Sequence, residues 1–291
     1  MLESEFSYAA PEDGFVRRRA IQLIEVLTGR QHLEKLYQGY RALPEPRPPF
    51  FSSSVQSLDL KLNFSTDRLT AIPKSGPLVV VANHPYGVLD GIILCDLISR
   101  VRPDFRILAN AVLWRAEELR EHILPIDFAE TRDALKTTLT SRQQARSHLA
   151  NGGVLLVFPA GMVATSKNLM GNHLNASDRR WGSFTAQLIT RTKSPVLPIY
   201  FDGQNSVLFQ IASHLHEALR LSLLFREVRR RMGQQINIAI GAVLPFTQLD
   251  HFDNGQALAD HLQETTDALR NEISHPTSPN TRRYAEELAT A

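Results

Sequence analysis

The sequence predicts an α/β fold: a single layered domain with a mostly parallel central sheet flanked by helices, preceded by an N-terminal amphipathic helix. Three observations predict it. Five short runs, PLVVVAN, FRILAN, GVLLVF, SPVLPIYF and QINIAIGAV, follow one another from residue 77 onward; each is rich in β-branched, aliphatic or aromatic residues, as buried strands are. Amphipathic or mostly polar helical stretches fall between several of them, as parallel strands require of their crossovers. The chain also holds no internal repeat and no low-complexity tract.

Taken in order, residues 14–43 read as mostly helical, with Val16, Ile21, Ile24, Leu27, Leu33 and Leu36 at helical spacing and Arg17 to Arg19 clustered near the start. LPEPRPPF, residues 43–50, carries four prolines; they remove donors and favour extended backbone, so this stretch reads as a stiff connector and a boundary. The expected organisation is therefore 1–50 as a helical segment with its connector, 51–275 as the α/β domain, and 276–291 as a loosely held tail. After the Leu78–Ala82 strand, Leu89 to Ile98 reads as a helix with Leu89, Ile92, Ile93 and Leu97 facing a core. Thr131 to Ala150 reads as a long crossover helix closed at Asn151-Gly152-Gly153, where a left-handed cap belongs. A last helix is expected over about Gln256 to Ile273.

Composition narrows the classes. An apolar fraction of 43% in 291 residues is ordinary for a globular protein with a sizeable core. Cys95 is the only cysteine, so an intrachain disulfide is excluded and a reducing compartment is the natural setting. The first residues lack an apolar run behind a basic start, so no secretory signal is expected. No apolar run approaches the roughly 20 residues of a spanning helix. A net charge of +2 gives no ground for nucleic acid as a partner.

The chemistry concentrates in VVVANHPYGVLDG, residues 79–91. The strand stops at Asn83, and His84 and Asp90 stand six apart around a Pro-Tyr-Gly turn. On one continuous helix residues six apart face directions about 240° different; Pro85 and Gly87 supply the break that lets the pair meet. Such a pair at the carboxyl end of a strand lies where α/β sheets bind ligands. A carboxylate holding one ring N–H leaves the other nitrogen an acceptor, able to take a proton from an alcohol. The competing reading has Asp90 only complementing the helix dipole and His84 as a satisfied turn residue; spacing leaves the two balanced.

NHPYGVLDG resembles the first motif of the glycerolipid acyltransferase superfamily, whose usual form is Asn-His, four residues, then Asp. Here five residues separate His84 from Asp90, which resembles a bacterial hemolysin-labelled branch that includes lyso-ornithine lipid O-acyltransferases. Further stretches agree in order: RILANAVLWR falls where the family binds its acceptor, GGVLLVFPAGMVATSK resembles the Phe-Pro-Glu-Gly block, and SPVLPIYFDGQNS resembles a later Val-Pro-rich strand. The resemblance runs from about Gly14 to Phe246. It implies transfer of a fatty acyl group from acyl carrier protein or coenzyme A thioester to the hydroxyl of a lyso-lipid, in membrane lipid biosynthesis at the cytoplasmic face of the bacterial inner membrane, with no bound cofactor. His84 is then the base and Asp90 its orienting acid, while Asn83, Gly87, Arg115, Phe158, Pro159, Gly161, Thr165 and Lys167 become candidate substrate contacts. Backbone N–H groups at Gly87 or Gly161 are candidate donors to the oxyanion.

The chain departs from the family where the acceptor is gripped. Ala160 stands in place of the block's Glu and Val163 in place of its Arg, and the nearest cation is Lys167. Without a guanidinium fork a phosphate acceptor is disfavoured, which points to a lyso-ornithine or related aminolipid ahead of lysophosphatidate. Two further readings stand beside these: a noncatalytic lipid-binding protein, and a metal-dependent hydrolase using His84 and Asp90. No Gly-x-Ser-x-Gly elbow supports a covalent intermediate. Arg17 to Arg19, and Arg226, Arg229, Arg230 and Arg231, are candidate contacts with an anionic membrane surface or acyl carrier protein, set against the commoner solvated helix face. His214 and His216 lack helical metal-ligand spacing, so no metal is expected.

Overall fold

The structure, a computed structural model, describes residues 29–127, 129, 131–166, 175–215 and 217–274. Its sheet has seven strands: β1 (Lys61–Asn63), β2 (Leu78–Ala82), β3 (Phe105–Asn110), β4 (Ile123–Ile126), β5 (Val154–Val157), β8 (Val196–Phe201) and β9 (Gln235–Ile240), in the order β1-β9-β8-β2-β5-β3-β4. From β8 to β4 all neighbours are parallel. β9 runs antiparallel to β8 and carries β1 parallel to itself at the edge. A separate two-stranded ribbon pairs β6 (Thr165–Ser166) with β7 (Ala176–Ser177).

Helices cover both faces of the sheet, which is why the central strands are apolar without alternation. Leu78, Val80 and Ala82 of β2 enter one core, with Leu89, Ile93 and Leu97 of a helix over Val88–Ser99 and Phe51 and Val55 of another over Phe50–Ser57. Val79 and Val81 enter the opposite core, with Ala145 and Leu149 of the helix Arg132–Ala150, Ile189 of Ser183–Thr192 and Leu258 and Leu262 of Gly255–Ala268. In chain order the helices are α1 (Arg30–Arg41), α2 (Phe50–Ser57), α3 (Thr66–Thr70), α4 (Val88–Ser99), α5 (Arg132–Ala150), α6 (Ser183–Thr192), α7 (Val207–Leu215), α8 (Glu217–Arg231), α9 (Gly255–Ala268) and α10 (Arg270–Ser274). α7 and α8 form a hairpin whose Phe209, Leu223 and Leu224 pack with Val163.

The five sequence-read strands all form, and the predominantly parallel α/β architecture is as expected. The strands not anticipated are short or interrupted: β1 has three residues, β4 contains Pro125, and β6 and β7 have two residues each. α5 starts one residue after its cap, Thr131, whose Oγ1 accepts the Ala134 N–H at 3.1 Å. It closes through Gly152, at φ 85°, whose N–H donates to Leu149 O. The single C-terminal helix expected over 256–273 is two, broken at Leu269 between α9 and α10. Of the helix expected over 14–43 only α1 is described; Arg17 to Arg19 and the tail 276–291 lie outside the described residues.

Candidate active site

Parallel register sets the site. Val81 of β2 lies opposite Val157 of β5 and Ala82 opposite Ile199 of β8, so the chain leaves all three strands at one edge, and His84, Phe158 and Asp202 emerge side by side. The turn Pro85-Tyr86-Gly87 then reverses the chain into α4. Gly87 is required there: its φ is 82°, and a Cβ would lie 2.9 Å from Leu224 Cδ2 and 3.2 Å from Val163 Cγ2.

His84 Nδ1 lies 3.0 Å from Asp90 Oδ2. That same oxygen accepts the backbone N–H of Tyr86 at 2.8 Å and of Gly87 at 2.9 Å. Three donors converging on one oxygen call for an ionised carboxylate, which takes the Nδ1–H and leaves Nε2 as the acceptor. Asp90 is 0% exposed. Burial pushes its carboxyl above the usual range, while the hydrogen bond and charge of His84 and the two backbone N–H groups pull it back. Asp90 therefore does both things the spacing left open, bonding the imidazole and satisfying the helix N-terminus.

The ring of His84 stacks on Phe158, centroids 4.0 Å apart and planes 21° from parallel. Phe158 thus fixes the orientation of the imidazole, and Pro159 continues that wall, its carbonyl accepting the Gly182 N–H at 3.3 Å. The His84 main chain is held from both sides. Its carbonyl accepts from Ala164 N at 2.8 Å, and its N–H donates to Asp178 Oδ1 at 3.1 Å. Asp178 was not singled out from the sequence; nothing in the spacing of a residue 94 positions away announces the contact.

Several expected contacts are corrected by the hydrogen bonding. Asn83 does not face a ligand: its Nδ2 donates to Phe201 O at 2.9 Å and its Oδ1 accepts Phe201 N–H at 2.7 Å, tying the ends of β2 and β8 together. Gly87 is not an oxyanion donor, because its N–H is held by Asp90. Nor is Gly161, at φ 71°, whose N–H closes a turn onto Phe158 O at 3.0 Å. Thr165 pairs with Ser177 across the β6–β7 ribbon and is half-buried. Arg115 ends a 3₁₀ turn, Ala111–Arg115, that follows β3. Lys167 and His216 lie outside the described residues. His214 Nε2 lies 2.8 Å from Ser166 O, anchoring α7 to the ribbon. The basic group on α8 divides: Arg231 donates to Gln204 O and lies over Tyr86, Arg226 bonds Ser206 and Glu227, and Arg229 and Arg230 are exposed. Among the described residues no three His, Cys, Asp or Glu side chains gather to hold a metal, and no helix is long and apolar enough to cross a membrane.

An imidazole bonded to a buried acid at the carboxyl edge of an α/β sheet is an arrangement capable of general-base chemistry. The chain belongs to the acyltransferase family, whose profile, described as "Acyltransferase", matches residues 24–274. It is an acyltransferase, and its membership of the glycerolipid acyltransferase superfamily, expected from NHPYGVLDG, is borne out. A lyso-glycine lipid O-acyltransferase of Phocaeicola vulgatus is 24% identical over 211 residues, 69% of this chain and 70% of that protein. One of the same description from Bacteroides thetaiotaomicron is 21% identical over 222 residues, 74% of this chain and 77% of that protein. The crystal structure of the 1-acyl-sn-glycerophosphate (LPA) acyltransferase PlsC from Thermotoga maritima aligns over 88% of this chain and 97% of its own with 14% identity and a TM-score of 0.49.

Proposed function

We propose that this acyltransferase moves a fatty acyl group from a thioester donor, acyl carrier protein or coenzyme A, to the hydroxyl of a lyso-aminolipid. His84 Nε2 takes the hydroxyl proton as the oxygen attacks the thioester carbonyl. Collapse of the tetrahedral intermediate breaks the C–S bond, and His84 returns the proton to the departing thiolate. Asp90 keeps the ring in the reactive tautomer and stabilises the imidazolium. A thioester is already activated, so no acylated side chain is required, and buried Cys95, whose thiol burial pushes well up, is unsuited to provide one. The observation that carries this reading is the 3.0 Å pair of His84 Nδ1 and Asp90 Oδ2 beside the Phe158 wall. Residues 51–275 form the catalytic domain in this reading, with 1–50 and 276–291 appended.

The acceptor class rests on Ala160 and Val163, which offer neither a carboxylate nor a guanidinium, and on relatives named for a lyso-glycine lipid. Lyso-ornithine lipid and lyso-glycine lipid are the nearest chemistries, and 1-acylglycerol-3-phosphate is the competing acceptor. Phe158, Pro159 and Thr165, with Arg115 and Lys167, remain the residues proposed to line its path. Contact with a membrane surface is supported by apolar side chains left in water around the same sheet edge: Trp114 after β3, Leu135 and Leu139 in the first turns of α5 after β4, and Val207, Leu208 and Ile211 in the first turns of α7 after β8.

Purified protein given labelled acyl carrier protein or coenzyme A thioester and a panel of lyso-ornithine lipid, lyso-glycine lipid and 1-acylglycerol-3-phosphate tests the reading by mass spectrometry. New ester on an aminolipid is expected, and ester only on the phosphate acceptor overturns the acceptor class. His84→Ala is expected to lower the rate roughly a hundred- to ten-thousandfold. An unchanged rate removes the base.

A further inference from the structure

Asp178 reaches the site from just beyond β7 and is bound to donors on both sides. Its Oδ1 accepts the His84 backbone N–H at 3.1 Å, and its Oδ2 accepts Trp181 Nε1–H at 3.0 Å. Trp181 is itself 1% exposed and anchored to α9: its N–H donates to Gln263 Oε1 at 2.9 Å, and its carbonyl accepts from Gln256 Nε2 at 2.9 Å. A continuous brace therefore runs from α9 through Trp181 and Asp178 to the main chain of the base.

The chemistry of this position is specific to an ionised acid. Both neighbours are N–H donors, so the side chain must offer two acceptor oxygens. An asparagine offers one acceptor and would set its NH2 against the indole N–H. A protonated carboxyl likewise carries a hydrogen toward a donor. We propose that Asp178 is a positioning residue for acyl transfer: ionised, it holds the His84 backbone in place and sets a second negative charge near the imidazole, favouring the imidazolium that forms when the hydroxyl proton is taken. Asp178 itself gains no proton in the turnover. The proposal rests on the acyl-transfer reading above.

The brace is also a pH-dependent one. Burial raises the Asp178 carboxyl to about 6, against the lowering by Trp181 and His84 and with a further push from Asp267 on α9. Among the described residues His84 and Asp267 are the charges that face it across the packed elements, while Arg180 beside it in the chain is paired with Asp260. As pH falls through about 6, Asp178 gains a proton, one of its two donors loses an acceptor, and the base loosens.

The test is the pH profile of kcat/KM for wild type, Asp178→Asn and Trp181→Phe with one donor and one acceptor. Asp178→Asn is expected to lower kcat by about tenfold or more, the scale of a lost hydrogen bond to a charged group, with the acceptor KM little changed. The acid limb should lose one proton from its slope. Trp181→Phe removes the donor that lowers this carboxyl, so its limb should move to higher pH. A folded Asp178→Asn with the wild-type kcat and slope overturns the proposal; if that variant fails to fold, an unmoved limb in Trp181→Phe does so. NMR supplies a readout independent of turnover, since the chain has only two tryptophans. In the wild type the Trp181 indole and His84 amide resonances should share a transition near pH 6. Its absence rules out the switch, whereas failure of the wild type to esterify any lyso-lipid rules out the acyl-transfer reading instead.

Discussion

At the scale of single residues, the site depends on groups that hold the turn as much as on His84 and Asp90. Tyr86, between His84 and Asp90, donates from its hydroxyl to Asp202 O and is 2% exposed. Burial pushes its phenol to about 12, so it stays a donor at every working pH. Gly203 makes room for that hydroxyl. At φ 119° a Cβ there would lie 1.9 Å from Tyr86 Oη, a clash compounded by a backbone conformation that L side chains rarely adopt. Gly203→Ala is therefore expected to cost about 2 kcal/mol or more and, by tilting the turn, to lower acyl transfer at temperatures where the variant is still folded. Denaturant melts and initial rates measured side by side check this; a loss of stability with the full wild-type rate would separate Tyr86 from the site.

Among elements, the α7–α8 hairpin joins the edge that carries His84 to the molecular surface. Its inner face is fixed by Gln210 Oε1, which accepts Ser166 N–H at 2.8 Å, by His214 against Ser166 O, and by Phe209 and Leu224 in the small core with Val163. Among the described residues nothing buries its outer face, Val207, Leu208 and Ile211, which are 55%, 47% and 39% exposed. The triple change Val207→Ser, Leu208→Ser, Ile211→Ser is expected to weaken flotation with lipid vesicles while leaving the melting temperature within about 2 °C of wild type, because exposed positions contribute little to folding. Equal flotation of both proteins would remove this face from membrane contact. The sequence made α8 legible as an apolar-basic helix, yet it did not show that Arg231 is turned inward over Tyr86. Helical spacing reports which residues share a face, and only the neighbour decides which face is covered.

Across the whole molecule the sheet has one edge that carries the proposed site and an opposite one that is structural. Opposite His84, where the parallel strands begin, Arg102 is 1% exposed. Its guanidinium donates to Pro73 O, Gly76 O and Gly152 O and to both oxygens of Asp104, the last pair at 2.8 Å. It thereby ties together the entries to β2, β3 and β5. Asp104, held below the usual carboxylate range chiefly by that hydrogen bond, is the partner at the surface. Arg102→Met leaves the Pro73, Gly76 and Gly152 carbonyls without this donor, and a buried acceptor left unsatisfied costs about 1–3 kcal/mol, so the variant should have a melting temperature lower by several degrees in calorimetry. The rate per folded molecule should be retained, since the edge that carries His84 is untouched. A stable variant would show the arginine to be dispensable.

The sequence by itself determined the five main strands, their predominantly parallel arrangement, the carboxyl-edge placement of His84 and the need for Pro85 and Gly87 to bring Asp90 back to it. These are local properties: apolar runs buried on both faces, and a turn encoded within a few residues. Only the tertiary structure decided that Asn83 clamps Phe201, that the Gly87 and Gly161 amides are already engaged, and that Asp178 and Trp181 brace the His84 main chain. Each of those depends on which distant strand or helix lies alongside, and hydrogen bonds across 118 or 94 residues leave no periodicity in the chain that makes them.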